Sequence, residues 1–565
     1  MERRIFLAVF LSFLVVYAYQ ALFIPPEPPR PREQAAEPPP APAAPVEPIP
    51  TPVPAPPPAA RPVVSETAER DVVIETDTVR AVFTNRGGRI KQWLLKVYAQ
   101  DESGRPVDLV PTSLDPDQPL PFSLRVDEGS LTRTLNSALY RTTHTGNDVT
   151  FEYEDASGLH VRKQFALDPE RYVITFTADV RQGPQVLNPF VQWGPGLGDA
   201  GATSGGGSFF TGNYVQPPQA ILHDGNDVVR NAATSIPEQP VHEGTFRFAG
   251  VDDHYFIAAA VNPGPARIEY RQVTLPGSTD PNTQRQLVAH AYRFPQPPSG
   301  VQFFFGPKAF DVLKSVDAEL VRAIHFGVFA WLAVPLLGAL QWVHGFVGNY
   351  GWAIVILTIL INLAIFPLRH KSVVSMRKMQ ELQPQLKAIQ GRYADLKVTD
   401  PARQKMNTEV MNLYRQKGVN PASGCVPMLL TLPVLFAFYS FLSVAIELRG
   451  AAFGLWITDL SQPDPYYVTP ILMAASMFWQ QRITPTSADP TQQRIMLMMP
   501  IVFSVMFLSA PSGLVLYWFV SNLWAIGQQY FTNWLLGPMP VHAVRPAAER
   551  RVKSAGSGKT AGAKK

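Results

Sequence analysis

Apolar runs crowd the chain between residues 326 and 535, at 326–347, 349–368, 425–446, 467–481, 495–509 and 513–532. About 20 consecutive apolar residues wound as a helix cross a hydrocarbon layer of roughly 30 Å. Inside such a layer every backbone N–H and C=O must be satisfied within the segment, so isolated runs of this length are read as helices. A further uncharged run, residues 5–24 (IFLAVFLSFLVVYAYQALFI), follows Arg3 and Arg4. It is longer than the apolar part of a cleaved leader and lacks a clean small-x-small exit, so 1–24 reads as an uncleaved anchor. The mean hydropathy near zero thus averages two unlike parts, a polar stretch at 70–310 and an apolar one after 320.

Charge orients these runs. The loop 369–419 carries eleven Lys/Arg against four acids, and by the positive-inside rule it is cytoplasmic. The anchor, with its arginines inside, delivers residues 66–310 to the outer side. An odd number of crossings must separate that region from the basic loop, yet two apolar runs fill the gap. We assign the crossing to 349–369 and lay 311–348, with Trp331, Pro335, Trp342 and His344, flat on the outer interface as an amphipathic helix. Spans at 420–446, 467–481, 495–510 and 511–532 then close consistently. The outer loop 447–466 carries Arg449 against Glu447, Asp459 and Asp464, and Arg482 and Arg494 flank the inner loop 482–494. The tail 533–565 has seven Lys/Arg and one Glu after position 541. This gives six spans with both ends cytoplasmic.

Residues 25–65 hold many of the 56 prolines and form an extended spacer that cannot build a core. Residues 66–310 alternate β-formers with polar residues, as in VVIETDTVRAVF, RYVITFTADV and HYFIAAAVN, with turn clusters such as GDAGATSGGGS between them. The pattern predicts an all-β, antiparallel sandwich. The fold class is therefore a multi-domain membrane protein: a five-span α-helical core plus an N-terminal anchor helix, with an all-β domain outside. The single cysteine, Cys425, excludes an internal disulfide and any CxxC metal or redox site.

The basic loop 370–419 reads as a helical hairpin. Met379, Leu382, Leu386 and Ile389 share a face of the first helix, and Met406, Val410, Leu413 and Tyr414 a face of the second. Asp400-Pro401 is a helix start and Gly418 a stop. The two stripes pack on each other, or they open to receive apolar segments, a role suited to adaptable methionines. Polar residues also lie within the spans: Thr358, Asn362, Thr431, Ser476, Ser504, Ser521, Asn522 and Gln528. Ser and Thr can bond their own helix. Asn362 is central in its run and costly in hydrocarbon unless paired or wet. It lies four residues from Thr358, on the same face. A shared polar cavity accounts for both. The tail sequence Gly556–Thr560 echoes a phosphate loop, but Lys553 stands where the first glycine belongs, so nucleotide binding is set aside. No HExxH or convincing GxSxG elbow is present, and no metal site or cofactor is expected.

The blocks HGFVGNYGWAIVILTILI…PL (344–368), NPASGCVPMLLTLPV (420–434), DLSQPDPYYVTPILM (459–473) and PSGLVLYWFVSN (511–522) resemble, in order and spacing, the YidC insertase family. With the anchor, the long outside β domain and the basic hairpin, the resemblance is to its Gram-negative branch. It implies a supersandwich-like periplasmic domain and a hydrophilic groove open to cytoplasm and lipid. The expected groove residues are Thr358, Asn362, Thr431, Ser476, Ser504, Tyr517, Trp518, Asn522 and Gln528. The family's groove arginine corresponds to Asn362 here; Arg369, two turns on, is expected to supply the charge at the groove mouth. Met379, Leu382, Leu386, Met406 and Val410 would form the substrate-receiving hairpin.

The implied function is insertion and folding of membrane proteins in the inner membrane, without enzymatic chemistry. Implied partners are hydrophobic nascent membrane proteins, the Sec translocon, membrane lipid and the ribosome through the basic tail, but not DNA. Two rival classes are a solute transporter, which would need an internal repeat not seen here, and a membrane-anchored periplasmic carbohydrate-binding protein.

Overall fold

The computed structural model describes residues 62–99, 106–110, 118–197, 216–276, 284–393, 402–419, 426–484 and 490–537. The anchor 1–24, most of the linker 25–65, Asp400-Pro401 and the tail beyond 537 lie outside the described residues.

From Pro62 to Pro307 the strands pair antiparallel in two sheets. The main path of a 14-stranded sheet runs Pro62–Val64, Asp148–Asp155, Leu159–Leu167, Val173–Gln182, Val301–Pro307, Phe256–Pro276, Val241–Asp252, Gln219–His223, Val228–Ala232. A four-stranded sheet orders Asp71–Glu75, Val79–Thr84, Arg89–Ala99 and Pro106–Asp108. Period-two alternation decides which face is buried: in Leu159–Leu167 every second residue, Leu159, Val161, Lys163, Phe165 and Leu167, points inward. Phe122 lies 4.8 Å from the Phe176 ring and 5.1 Å from Phe165, and Trp93 of the smaller sheet donates to the Phe305 carbonyl at 2.8 Å. The inward Lys163 is fully buried, where burial pushes its pKa well below the usual lysine range. It donates to the carbonyls of Gly87, Gly88 and Phe122, stitching two turns to the sheet. The sheet domain begins inside the expected 25–65 spacer, because Pro62–Val64 pairs with Asp155 and Glu154. An edge strand tolerates a proline at its first residue, and two valines follow it.

Helices α1 (Gly129–Ser137) and α2 (Phe310–Val316) belong to this domain. Beyond it come α3 (Ala330–Val347), α4 (Tyr350–Glu381), α5 (Gln383–Arg392), α6 (Ala402–Gln416), α7 (Val426–Val444), α8 (Val468–Ile483), α9 (Pro490–Met506) and α10 (Ser512–Leu536). Among the described residues, two stretches, Gly327–Val347 and Tyr350–Glu381, are long and apolar enough to cross a membrane.

Segment 311–348 differs from the expected single amphipathic helix. It holds α2, two 3₁₀ turns and α3, interrupted by extended Asp317 and Ile324 and by Gly327 at φ +64°. Helix α3 is apolar on both sides: Ala333, Leu337, Leu340 and Val343 are buried, while Trp331 and Phe346 stay 70% and 75% exposed. Gly348, at φ +69°, ends α3 with its N–H on the His344 carbonyl, and Asn349 caps α4 by accepting from Trp352 N.

The first arm of the hairpin is also not one helix. Helix α4 carries the 349–369 run straight on to Glu381, and the chain breaks at Leu382, where Pro384 opens α5 without an N–H to give. Leu382, Tyr414 and Val419 nonetheless form a small core, with Met379, Leu386 and Val410 packed on it. Met406 is half-buried outside that core. Gly418, at φ +62°, closes α6 with the Val419 N–H on the Tyr414 carbonyl. In this structure the two stripes therefore cover each other.

Candidate functional site: a polar cavity between helices

Helices α4, α7, α8 and α10 border an open-sided cavity of about 250 Å³. Its apolar wall comes from Ile361 and Ile365 of α4, Val434 and Leu435 of α7, and Met477 of α8. Its polar wall comes from Asn362 and Arg369 of α4, Gln480 of α8, and Tyr517, Ser521 and Asn522 of α10, with Trp518 at the side. Arg369 is the one formal charge among these residues.

Local helix geometry explains the pairing. Residues 362 and 369 are seven apart, about two turns, so they share a face. Helical side chains lean toward the N-terminus, and the long arginine reaches back until its Nη1 donates to Asn362 Oδ1 at 3.1 Å. Asn362 Nδ2 donates to the Thr358 carbonyl at 2.8 Å. The carboxamide is thus fixed at both ends and presents its oxygen to the guanidinium. Across the cavity, Asn522 Nδ2 donates to Ser476 Oγ at 3.1 Å, and Ser476 donates to the Met473 carbonyl at 2.6 Å. The Tyr517 ring stacks on Phe438 at 4.1 Å and ties α10 to α7, while Trp518 meets Phe507 of the turn after α9 edge-on at 4.9 Å.

Backbone hydrogen bonds tie the start of α10 to the 447–466 loop. Ser512 N and Oγ both donate to the Gln462 carbonyl and Gly513 N donates to the Leu460 carbonyl. A Cβ at Gly513 would stand 3.3 Å from that oxygen. Asp464 accepts from Thr469 N, Thr469 Oγ1 and Trp456 Nε1, which fixes the 447–466 loop over the helix ends.

Of the residues expected in the groove, Asn362, Tyr517, Trp518 and Asn522 line the cavity, with Ser476 bonded behind Asn522, and Arg369 lines it as well. Thr358 and Ser504 do not line it. Each hydroxyl turns back to its own helix, at Ile354 and Pro500. Gln528 is elsewhere too, reaching the Phe366 carbonyl at 3.4 Å. Thr431 falls in the part of α7 whose side chains are outside the description. Gln480 and Met477 were missed, although Gln480 stands four residues after Ser476 and the same-face rule marks it. Among the described residues no cluster of three His, Cys, Asp or Glu could hold a metal ion.

The family described as YidC periplasmic domain matches residues 71–339, and that described as 60Kd inner membrane protein matches 342–536. The membrane protein insertase YidC of Syntrophus aciditrophicus is 34% identical over 94% of this chain and 99% of its own length. That of Citrifermentans bemidjiense is 35% identical over 94% and 99%. The chain belongs to the YidC insertase family. Among solved structures it is similar to an active YidC insertase with its first transmembrane domain resolved (20% identity, 83% of this chain and 95% of that one, TM-score 0.34). A galactose mutarotase related enzyme from Lactobacillus acidophilus overlaps 42% of this chain at 10% identity and TM-score 0.24. As a YidC relative the chain pairs a periplasmic domain rich in β-strands with a helical C-terminal region. The two family matches meet at residues 340–341, within α3.

Proposed function

We propose that this chain inserts and folds hydrophobic nascent proteins in the inner membrane, alone or beside the Sec translocon, using the cavity between α4, α7, α8 and α10 as the groove. The observation that carries this reading is a charged, polar-walled cavity among apolar helices, with Arg369 held on Asn362 at 3.1 Å. Moving a charged residue into hydrocarbon costs roughly 2.5–3.5 kcal/mol on insertion scales. A wet groove shortens the dry path and keeps polar groups bonded. The apolar segment then leaves sideways into lipid, gaining about 0.3–0.6 kcal/mol per central Leu or Ile. The membrane potential draws an acidic tail outward, by about 2.3 kcal/mol per charge per 100 mV.

In this reading the chain crosses six times with both ends cytoplasmic, α3 braces the outer ends at the lipid interface, and the hairpin of Met379, Leu382, Leu386, Met406 and Val410 opens to receive substrate. The basic tail contacts ribosomal RNA through its phosphates. Arg369 takes over the role of a groove cation that Asn362 cannot fill itself.

The test is protease protection of a single-span protein with a short acidic outer tail, in proteoliposomes holding only this chain. Protection above empty liposomes, lost on deleting 370–419, is expected. No protection by a folded, correctly oriented chain, with none gained by Asn362→Arg, would defeat unassisted insertion. Arg369→Ala should lower insertion of acidic-tailed substrates more than of neutral-tailed ones; equal insertion would remove Arg369 from the mechanism. A chain lacking most of 66–310 should still insert, whereas a periplasmic binding protein on a membrane anchor would lose its activity.

A further inference from the structure

Helix α7 forms one wall of the cavity, through Val434 and Leu435, yet its outer end is gripped by the sheet domain. The last turn of a helix leaves carbonyls without partners. One of these, Ser443 O, accepts from His254 Nε2 at 2.7 Å. His254 sits in the turn between strands Val241–Asp252 and Phe256–Pro276. Its Nδ1 accepts from Gln216 N at 3.3 Å, so the neutral ring bridges the two parts with a defined tautomer. Asp253 shapes that turn by accepting from Tyr255 N and Phe256 N. Just past α7 the Arg449 guanidinium lies over the rings of Tyr255 and Phe256, at 5.4 and 5.2 Å. Glu447 accepts from Phe310 N and from Gln341 Nε2 of α3. The buried Lys308–Asp252 pair, at 2.9 Å, fixes the strand end that carries the turn.

We infer that the periplasmic sheet domain sets the position of the groove wall: His254 and Arg449 are positioning residues that hold the outer end of α7, and Phe438 on Tyr517 passes that position to α10. This rests on reading the cavity as the substrate groove, but its test does not depend on insertion activity. A planar cation against two rings and a hydrogen bond to a helix end fix an angle as well as a distance. A sheet domain merely tethered beside the helices needs neither contact.

The experiment uses the full chain in proteoliposomes, with Cys425→Ser and Leu435→Cys, and measures the alkylation rate at position 435 by a water-soluble maleimide. His254→Ala and Arg449→Ala should each change the rate about three- to tenfold, the population change that follows loss of one net hydrogen bond. His254→Gln, whose Nε2 can still donate to Ser443, should restore it. Val180→Ala, in the sheet core away from the junction, should leave it unchanged. An unchanged rate in the His254→Ala/Arg449→Ala double variant, with the sheet domain still protease-resistant, overturns the inference. If the alanine variants lose the sheet domain, Arg449→Lys, which keeps the charge but not the planar stack, decides instead: a shifted rate supports positioning, an unshifted one ends it. A shifted rate in a chain that inserts nothing would keep the positioning role and discard the insertase reading.

Discussion

The sheet domain and the helical region differ in what they leave exposed and in how they use the polar groups they bury. In the sheet domain the rings of Phe122, Phe165, Phe176 and Phe303 fill the centre, and the inward cation of Leu159–Leu167, Lys163, spends its donors on backbone carbonyls. In the helical region Asn362, Ser476, Asn522 and Gln528 are buried, while Trp331, Leu363, Ile501, Val502 and Trp534 are exposed. Water and lipid select these two arrangements. Apolar groups leave water for a core, but in lipid they gain nothing by hiding, so large apolar side chains stay exposed and the interior holds polar groups that need one another beside apolar ones such as Phe438 and Leu514. The comparison teaches that a buried polar residue has different weight in each half: structural in the sheets, available for work between the helices.

The largest effect that sharpens the contrast is Phe122→Ala. Removing a fully buried ring should cost the sheet domain about 3–5 kcal/mol, read as a lower melting temperature of the full chain in detergent, while groove labelling at position 435 stays unchanged. Lys163→Met should cost about 2–4 kcal/mol by leaving three buried carbonyls without their donor; a neutral result would mean that this lysine holds nothing together.

Acidification should separate the halves further. Burial pushes His290 down to about 3 and His254 down to about 4. The unfolded chain therefore binds more protons below about pH 6.5, and each imidazole withdraws up to about 1.4 kcal/mol per pH unit as pH falls through that window to the folded value. Asp253, pushed up to about 6 by burial, acts with the opposite sign between its unfolded value and 6, so the net fall should be shallower than two histidines imply. His290→Phe should flatten it, and an unaltered pH profile would break the assignment. The smallest stability change is expected for Asn362→Leu, below about 1 kcal/mol because little in lipid opposes an apolar replacement. The same variant should lower insertion of acidic-tailed proteins severalfold, because Arg369 loses its anchor. If stability collapsed and insertion did not, the comparison itself would be wrong.

The sequence announced the two halves clearly because each element repeats its own period: two in Leu159–Leu167, helical in α4. Asn362 stood out as a carboxamide amid apolar residues, and the seven-residue step to Arg369 placed both on one face before any coordinates. Other features were less legible. Thr358 and Ser504 look the same in sequence as cavity-lining hydroxyls, and only geometry shows them bonded to their own helices. Pro384 marked the break after α4, but the apolar stripe across Met379, Leu382 and Leu386 masked it. The meeting of His254 with Ser443, 189 positions apart, has no periodic or local signal at all, since it arises from docking between elements that each satisfy their own pattern.

One described feature carries a mechanical consequence. Helix α4 is unbroken from Tyr350 to Glu381, 32 residues and so about 48 Å at 1.5 Å per residue. It is pinned to α10 near its far end, by His370 against Thr532 Oγ1 and by Arg377 on the Gly537 carbonyl. Pro367 lies inside the helix and has no N–H to give, so one turn of the shaft lacks its bond just before the first clamp. Arg369 stands between that weakened turn and the clamps at His370 and Arg377, so its place is set by α10 as much as by the helix that carries it.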